Sequence, residues 1–130
     1  NYFAFKDICS AFDYYTPLII AGNDFLQKNS DTARHFLKAA AKGYEYAIEH
    51  PKEAADILCD QVPELDKDLV ERSQEYLASR YIDDAPYWGY IQPERWNEFY
   101  RWLNQEKLTE SPLADNYGFT DDYLEGSSNE

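Results

Sequence analysis

Side chains able to do chemistry are sparse in this 130-residue chain, and the densest group is Asp13-Tyr14-Tyr15-Thr16, inside the stretch AFDYYTPLIIAG at residues 11–22. A tyrosine joins a flat apolar face to a hydrogen-bonding tip, which suits stacking on a small heteroaromatic ring. Asp13 adds a carboxylate that accepts hydrogen bonds, for example from an amino group on such a ring. An architectural reading stays open beside this one: one tyrosine packs in the core and the other covers a sheet edge. A second aromatic cluster, Tyr87, Trp88 and Tyr90, reads more simply as a loop clamped onto neighbouring helices.

The remaining reactive residues do not assemble into a pattern. His35 and His50 are the two histidines, and neither has a second His or Cys at ligand spacing, so no metal site is expected. There is no Gly-rich phosphate loop and no GxSxG elbow. Ser10, Ser30, Ser73 and Ser79 have no histidine suitably placed. The acid pairs Asp83-Asp84 and Asp121-Asp122 read as solvated turn residues rather than an acid and a base. No catalytic residue, metal or cofactor is therefore assigned. Cys9 and Cys59 fit either one bridge or two free thiols; Cys59 falls at an apolar helical position and would pack as a small hydrophobe.

Composition narrows the partners. A net charge of −13 is repelled by phosphate backbones and anionic lipid, so neither nucleic acid nor basic docking to a membrane is expected. The charge is spread along the chain, as on solvated helix faces. With 44% hydrophobic and 17% aromatic residues, the chain can build a core. No apolar run is long enough for a transmembrane helix, and no basic-then-apolar signal pattern is visible in these residues, as is expected if trimming removed it. The absence of methionine leads to the expectation that the chain was trimmed from a longer one.

The elements that must position Asp13–Thr16 change character along the chain. Asn1–Phe5 is expected as a short strand, and Leu18–Ala21, bounded by Pro17 and Gly22, as a strand buried on both faces. After Gly22 the signal is helical. Asn23-Asp24 caps a short turn. Ser30 caps a helix carrying Ala33, Phe36, Leu37, Ala40, Tyr44, Ala47 and Ile48, which ends at His50 before Pro51. Pro51 opens the next helix, with Ala54, Ala55, Leu58 and Val62 inward. Asp66 caps another, in which Leu69, Ser73, Tyr76, Leu77 and Arg80 fall on one line. Pro93 opens the last, with Trp96, Phe99, Tyr100, Leu103 and Lys107 on one face. Residues 126–130 are expected to be disordered. One or two strands followed by four to five helices is lopsided for an α/β protein, because a buried strand needs neighbours on both sides.

The run DYYTPLIIAG, followed by NDFLQKNSDTARHFLKAAAKGYEYAIEHPKEAADIL, resembles the NMT1/THI5-like substrate-binding proteins of ABC importers for thiamine-pyrimidine precursors. The junction His50-Pro51-Lys52-Glu53-Ala54-Ala55 is similar to that family's "NPEEAA" turn. YWGYIQPERWNEFYRWL at residues 87–103 and YGFTDDYL at residues 117–124 resemble its C-terminal helix region and its end. The resemblance implies the C-terminal, helix-rich portion of a two-lobed α/β protein of the type-2 periplasmic binding kind. Residues 1–12 would be the inter-lobe crossover, and residues 13–125 the C-terminal part of the first lobe. It places Asp13, Tyr14, Tyr15 and Thr16 at the cleft end of a strand, as a ligand-binding segment for a pyrimidine-like molecule. It further implies an extracellular or periplasmic location with a lipid anchor in the full-length protein, an ABC permease as membrane partner, and binding rather than catalysis. A sulfonate-type solute, a pyrimidine-synthase relative and a helical interaction module are the competing readings. An unpaired apolar strand in so short a chain is also expected to promote self-association.

Overall fold

The structure, a computed structural model, describes residues 3–125. The expected tail at 126–130 and the first two residues of the expected strand at 1–5 lie outside the described residues. Two 3-10 turns, Phe5–Asp7 and Ser10–Phe12, precede five α-helices: α1 Asn23–Lys28, α2 Ser30–Glu49, α3 Pro51–Gln61, α4 Lys67–Ala78 and α5 Pro93–Gln105.

Local signals account for the helix boundaries. His50 ends α2 and starts α3 at once: its N–H donates to the Tyr46 carbonyl, and its own carbonyl accepts from the Ala54 N–H. Pro51 occupies the first turn of α3, where a missing N–H leaves nothing unpaired. The Asp66 carboxylate accepts from the Leu69 N–H at 3.0 Å and caps α4. Pro93 opens α5 after Gln92. One start shifts by a residue: Ser30 is already helical and Asn29 takes the cap position.

The expected strands do not form among the described residues. Among the described residues there is no strand; Phe5 begins a 3-10 turn, and residues 18–21 are irregular. Leu18, Ile19 and Ile20, expected to be buried on both faces, are 43%, 56% and 89% exposed. The physical reason is pairing. A strand's N–H and C=O groups need a neighbouring strand, and the described chain supplies none to either side of this run.

Two bodies of helix result. Helices α2, α3 and α4 pack on one another, and α1 lies on α2. Ala33 and Ala55 are buried at the heart of this group, while Phe36 and Leu58, expected inward, are exposed. The line through Leu69 and Tyr76 on α4 also faces solvent, with Arg80 stacked over the Tyr76 ring. Ion pairs join α3 to α4: Lys67 meets Asp56 at 2.6 Å, and Lys52 meets Glu71 at 3.7 Å. The Lys67 ammonium, hydrogen-bonded to Asp56, holds that carboxyl below the usual carboxylate range.

Around α5 the chain is wrapped on two sides. The Ser10–Phe12 turn packs on one. On the other, two asparagines seven residues apart clip the strap after the helix. Asn97 donates to Asn116 Oδ1 at 3.0 Å and accepts from the Asn116 N–H at 2.7 Å. Asn104 donates to the Leu113 carbonyl and accepts from the Leu113 N–H, both at 2.8 Å. Trp96 packs on Phe119 and donates to the Tyr117 carbonyl. The strap then returns to α2, where Arg34 meets the Asp122 carbonyl, Lys38 meets Glu125, and Leu124 is buried. The chain exposes 10099 Å², against about 7,100 Å² for a compact monomer of 15.2 kDa. The architecture is helical but open.

Candidate functional site

Asp13, Tyr14 and Tyr15 all reach α5, and each is held by a different kind of contact. Asp13 Oδ2 lies 3.0 Å from Arg95 Nη2, and Lys6 Nζ stands 3.9 Å from the other carboxylate oxygen. Tyr14 stacks on Phe99, with ring centroids 4.4 Å apart and planes at 16°. The Tyr15 hydroxyl accepts from the Gln92 N–H at 2.9 Å, and the Arg95 guanidinium sits 5.3 Å over its ring. Thr16 is exposed and precedes a cis bond to Pro17.

Upstream the same helix receives Ser10, whose hydroxyl donates to Glu98, and Phe12, whose ring meets Trp102 edge-on at 4.9 Å. The contacts fall at the cap residue 92 and at 95, 98, 99 and 102 of α5, one turn after another, as the helical repeat requires. Sequence reasoning missed Gln92, Arg95, Glu98 and Trp102. Their spacing was readable as a second stripe beside Trp96, Tyr100 and Leu103. What they would meet was not, because residues 10–15 lie some eighty positions away.

The electrostatics follow from this packing. Burial of the Arg95 guanidinium opposes its charge; Asp13 and then Tyr15 more than offset that, so Arg95 titrates above the ordinary arginine range. Tyr14 stays 45% exposed although stacked, so part of its ring remains available to a second flat group. Beside these residues lies an open cleft of about 430 Å³, lined by Lys6, Asp7, Ser10, Asp13, Gln92, Glu94, Arg95 and Glu98. Its size suits a small molecule. Its walls are polar and charged, and Tyr14 and Tyr15 stand at its margin rather than in its lining.

Elsewhere the other candidates take structural places. Trp88 stacks on Tyr44 at 4.7 Å, Tyr81 meets Tyr44 edge-on, and Tyr87 packs against Tyr90, which clamps the loop onto α2. A hollow of about 100 Å³ remains between that loop, α2 and Leu124. His35 and His50 are exposed, and among the described residues no group of His, Cys, Asp or Glu is arranged to hold a metal ion. Cys9 and Cys59 are half-buried free thiols. Asp121 accepts from the Ile91 N–H, and burial pushes its carboxyl above the usual range. No helix among the described residues is long and apolar enough to cross a membrane.

Two comparisons with known proteins bear on the segment. A family model described as "NMT1/THI5 like" matches residues 1–54, a span that includes Asp13–Thr16 and the Pro51 junction. The formylaminopyrimidine-binding protein of Halalkalibacterium halodurans is 26% identical over 106 residues, which is 77% of this chain and 32% of the relative. The chain thus spans about a third of the length of the curated relative it matches. Both matches agree with the resemblance carried by DYYTP and by the His50-Pro51 turn: residues 1–54 are similar to the NMT1/THI5-like family model, and the chain is similar over 106 residues to the formylaminopyrimidine-binding protein.

Proposed function

We propose that this chain contributes to a solute-binding component of an ABC importer that captures a small pyrimidine precursor of thiamine. The observation that carries the reading is the DYYT segment. It lies inside the family match, its Asp13, Tyr14 and Tyr15 side chains are held on α5 beside a cleft of small-molecule size, and the curated relative is named for binding a formylaminopyrimidine. In this reading Tyr14 provides a stacking face. Asp13 offers the carboxylate lone pairs that Arg95 leaves free, Tyr15 the edge of its ring, and Thr16 a hydroxyl.

The wider reading is of the same kind. Residues 13–125 form the C-terminal part of one lobe of a two-lobed, type-2 periplasmic binding protein, and residues 1–12 cross from the other lobe. Ligand bridging the lobes stabilises the closed form through its differential affinity for that form, which then docks on a membrane permease. The protein works outside the cytoplasmic membrane, lipid-anchored in its full-length form, and binds without turnover.

The test is a thermal melt of the full-length protein with and without a formylaminomethyl-pyrimidine. Ligand at a hundred times its dissociation constant is expected to add about 2.7 kcal/mol. Tyr14→Ala is expected to reduce that gain while leaving a cooperative melt. A gain that persists undiminished in Tyr14→Ala removes the segment from the site. No gain in the unsubstituted protein rejects the pyrimidine reading.

A further inference from the structure

Arg95 touches both Asp13 and Tyr15. Its guanidinium is bonded to Asp13 Oδ2 at 3.0 Å and lies 5.3 Å over the Tyr15 ring. The Tyr15 hydroxyl in turn is tied to Gln92 at the start of the same helix. Lys6 adds little to the balance: it is 3.9 Å from the carboxylate and its side chain is 59% exposed, so water screens it. The Arg95 side chain is only 28% exposed. Of the other acids around the cleft, Glu94 is paired with Arg101 at 2.6 Å, whereas Glu98 accepts only from the Ser10 hydroxyl and Asp7 from the Ala4 N–H at 3.4 Å, so both keep their charge, and Asp84 adds a further negative charge to the surroundings of Arg95. Asp13 is thus a carboxylate whose charge is offset on one oxygen and whose other oxygen keeps acceptor positions. Such a group accepts from neutral N–H donors without attracting a cation strongly.

We propose that Arg95 is a specificity-determining, positioning residue. It fixes Asp13 beside Tyr15 and offsets its charge, so that this end of the site takes a neutral N–H donor, such as an acylated amino-pyrimidine carries, in preference to a cationic amine. The inference rests on the reading above that Asp13 and Tyr15 meet the ligand.

The experiment is calorimetric titration of the full-length protein with two probes that differ only in charge. One is an aminopyrimidine bearing an N-formylated aminomethyl group; the other is the same ring with the aminomethyl group free and protonated. The unsubstituted protein is expected to prefer the neutral probe. Arg95→Gln is expected to lower the neutral-to-cationic affinity ratio by about tenfold or more, because the carboxylate is left uncompensated. Arg95→Lys keeps the charge without the planar fork and is expected to retain most of the ratio. Asp13→Asn is expected to move the ratio the opposite way, since it leaves the guanidinium unbalanced. Melts of the ligand-free variants show which of them fold, and the two opposite shifts make either variant sufficient. An equal loss of affinity for both probes in Arg95→Gln overturns the proposal, for the arginine then only props the segment. An unchanged ratio in either folded variant overturns it too. Binding of neither probe by the unsubstituted protein rejects the pyrimidine reading itself, and this inference with it.

Discussion

A hydrogen bond is worth most where water cannot replace it, and two residues on α5's surroundings separate the cases. Asn97 is 5% exposed and its carboxamide makes both bonds to Asn116. Asn97→Ala strands the Asn116 groups and is expected to cost about 1–3 kcal/mol in a denaturant melt. Tyr15→Phe removes the acceptor for the Gln92 N–H at an exposed position, where water substitutes, and is expected to cost about 1 kcal/mol or less. Two carboxylates should respond to pH with opposite signs. Lys67 depresses the Asp56 pKa, so this pair stabilises the fold above the unfolded carboxylate range and loses that contribution as pH falls through the folded value. Burial raises the Asp121 pKa, so its ionised form opposes folding, and stability is recovered as pH falls toward the unfolded value. At neutral pH Asp56→Asn is expected to melt below the unsubstituted chain and Asp121→Asn above it. The Asp121 gap should close as pH falls to about 4, where the unfolded carboxylate titrates, whereas the Asp56 gap should begin to narrow only below about pH 4. A gap that widens on acidification assigns the wrong partner to that carboxylate.

The helices were legible in the sequence because their boundaries are written locally. Pro51, Asp66 and Pro93 act through their own backbone and side chains within one turn. The strand at 18–21 was not, because a strand is a relation between two segments, and its composition, Leu-Ile-Ile-Ala, says nothing about whether a partner is present. The candidate site was legible in half: Asp13 and the tyrosines stand out by type, whereas Arg95 and Gln92 gain meaning only when α5 docks on residues 10–15. Helix α5 also shows why one apolar stripe was too few. It is covered on two sides, by residues 10–15 and by the 113–119 strap, so both its 95/98/99/102 and its 96/97/100/104 positions are in use. The glycines test element geometry directly. Gly43 lies inside α2 with open space where a methyl group would project, so Gly43→Ala is expected to stabilise by about 0.5–1 kcal/mol. Gly89 has φ +88°, and a Cβ there would stand 3.1 Å from a methyl carbon of the buried Leu124. Gly89→Ala is expected to cost about 1–3 kcal/mol, from the left-handed backbone and the contact together. Thermal melts of the two variants should move in opposite directions.

At the scale of the whole molecule the main fact is uncovered apolar surface. Buried hydrophobic residues number four, Ala11, Ala33, Ala55 and Leu124, among the described residues, while Leu18, Ile19, Ile20, Phe25, Phe36 and Leu69 are exposed. A monomer seldom leaves a contiguous apolar patch of more than a few hundred Å² bare. Residues 18–20 combine that exposure with backbone groups that make no hydrogen bond to other described residues. Such a segment is a template for strand addition, and in a solution of this 130-residue chain the available strand is the same segment of another copy. The surface charge of −13 opposes close approach at long range, so association should strengthen as salt screens it. Light scattering at tens of micromolar is therefore expected to show a dimer or larger assembly, more populated at high salt than at low. Ile20→Lys puts a charge at the most exposed point of the run and is expected to shift the chain toward monomer without changing its helical circular dichroism. Ile57→Lys, an exposed apolar residue on α3 away from the run, is the control for general loss of stickiness. If both substitutions dissolve the assembly equally, the contact is diffuse collapse. If only Ile20→Lys does, the unpaired run is the seam. A monomer in the unsubstituted chain shows that its apolar surface is tolerated bare.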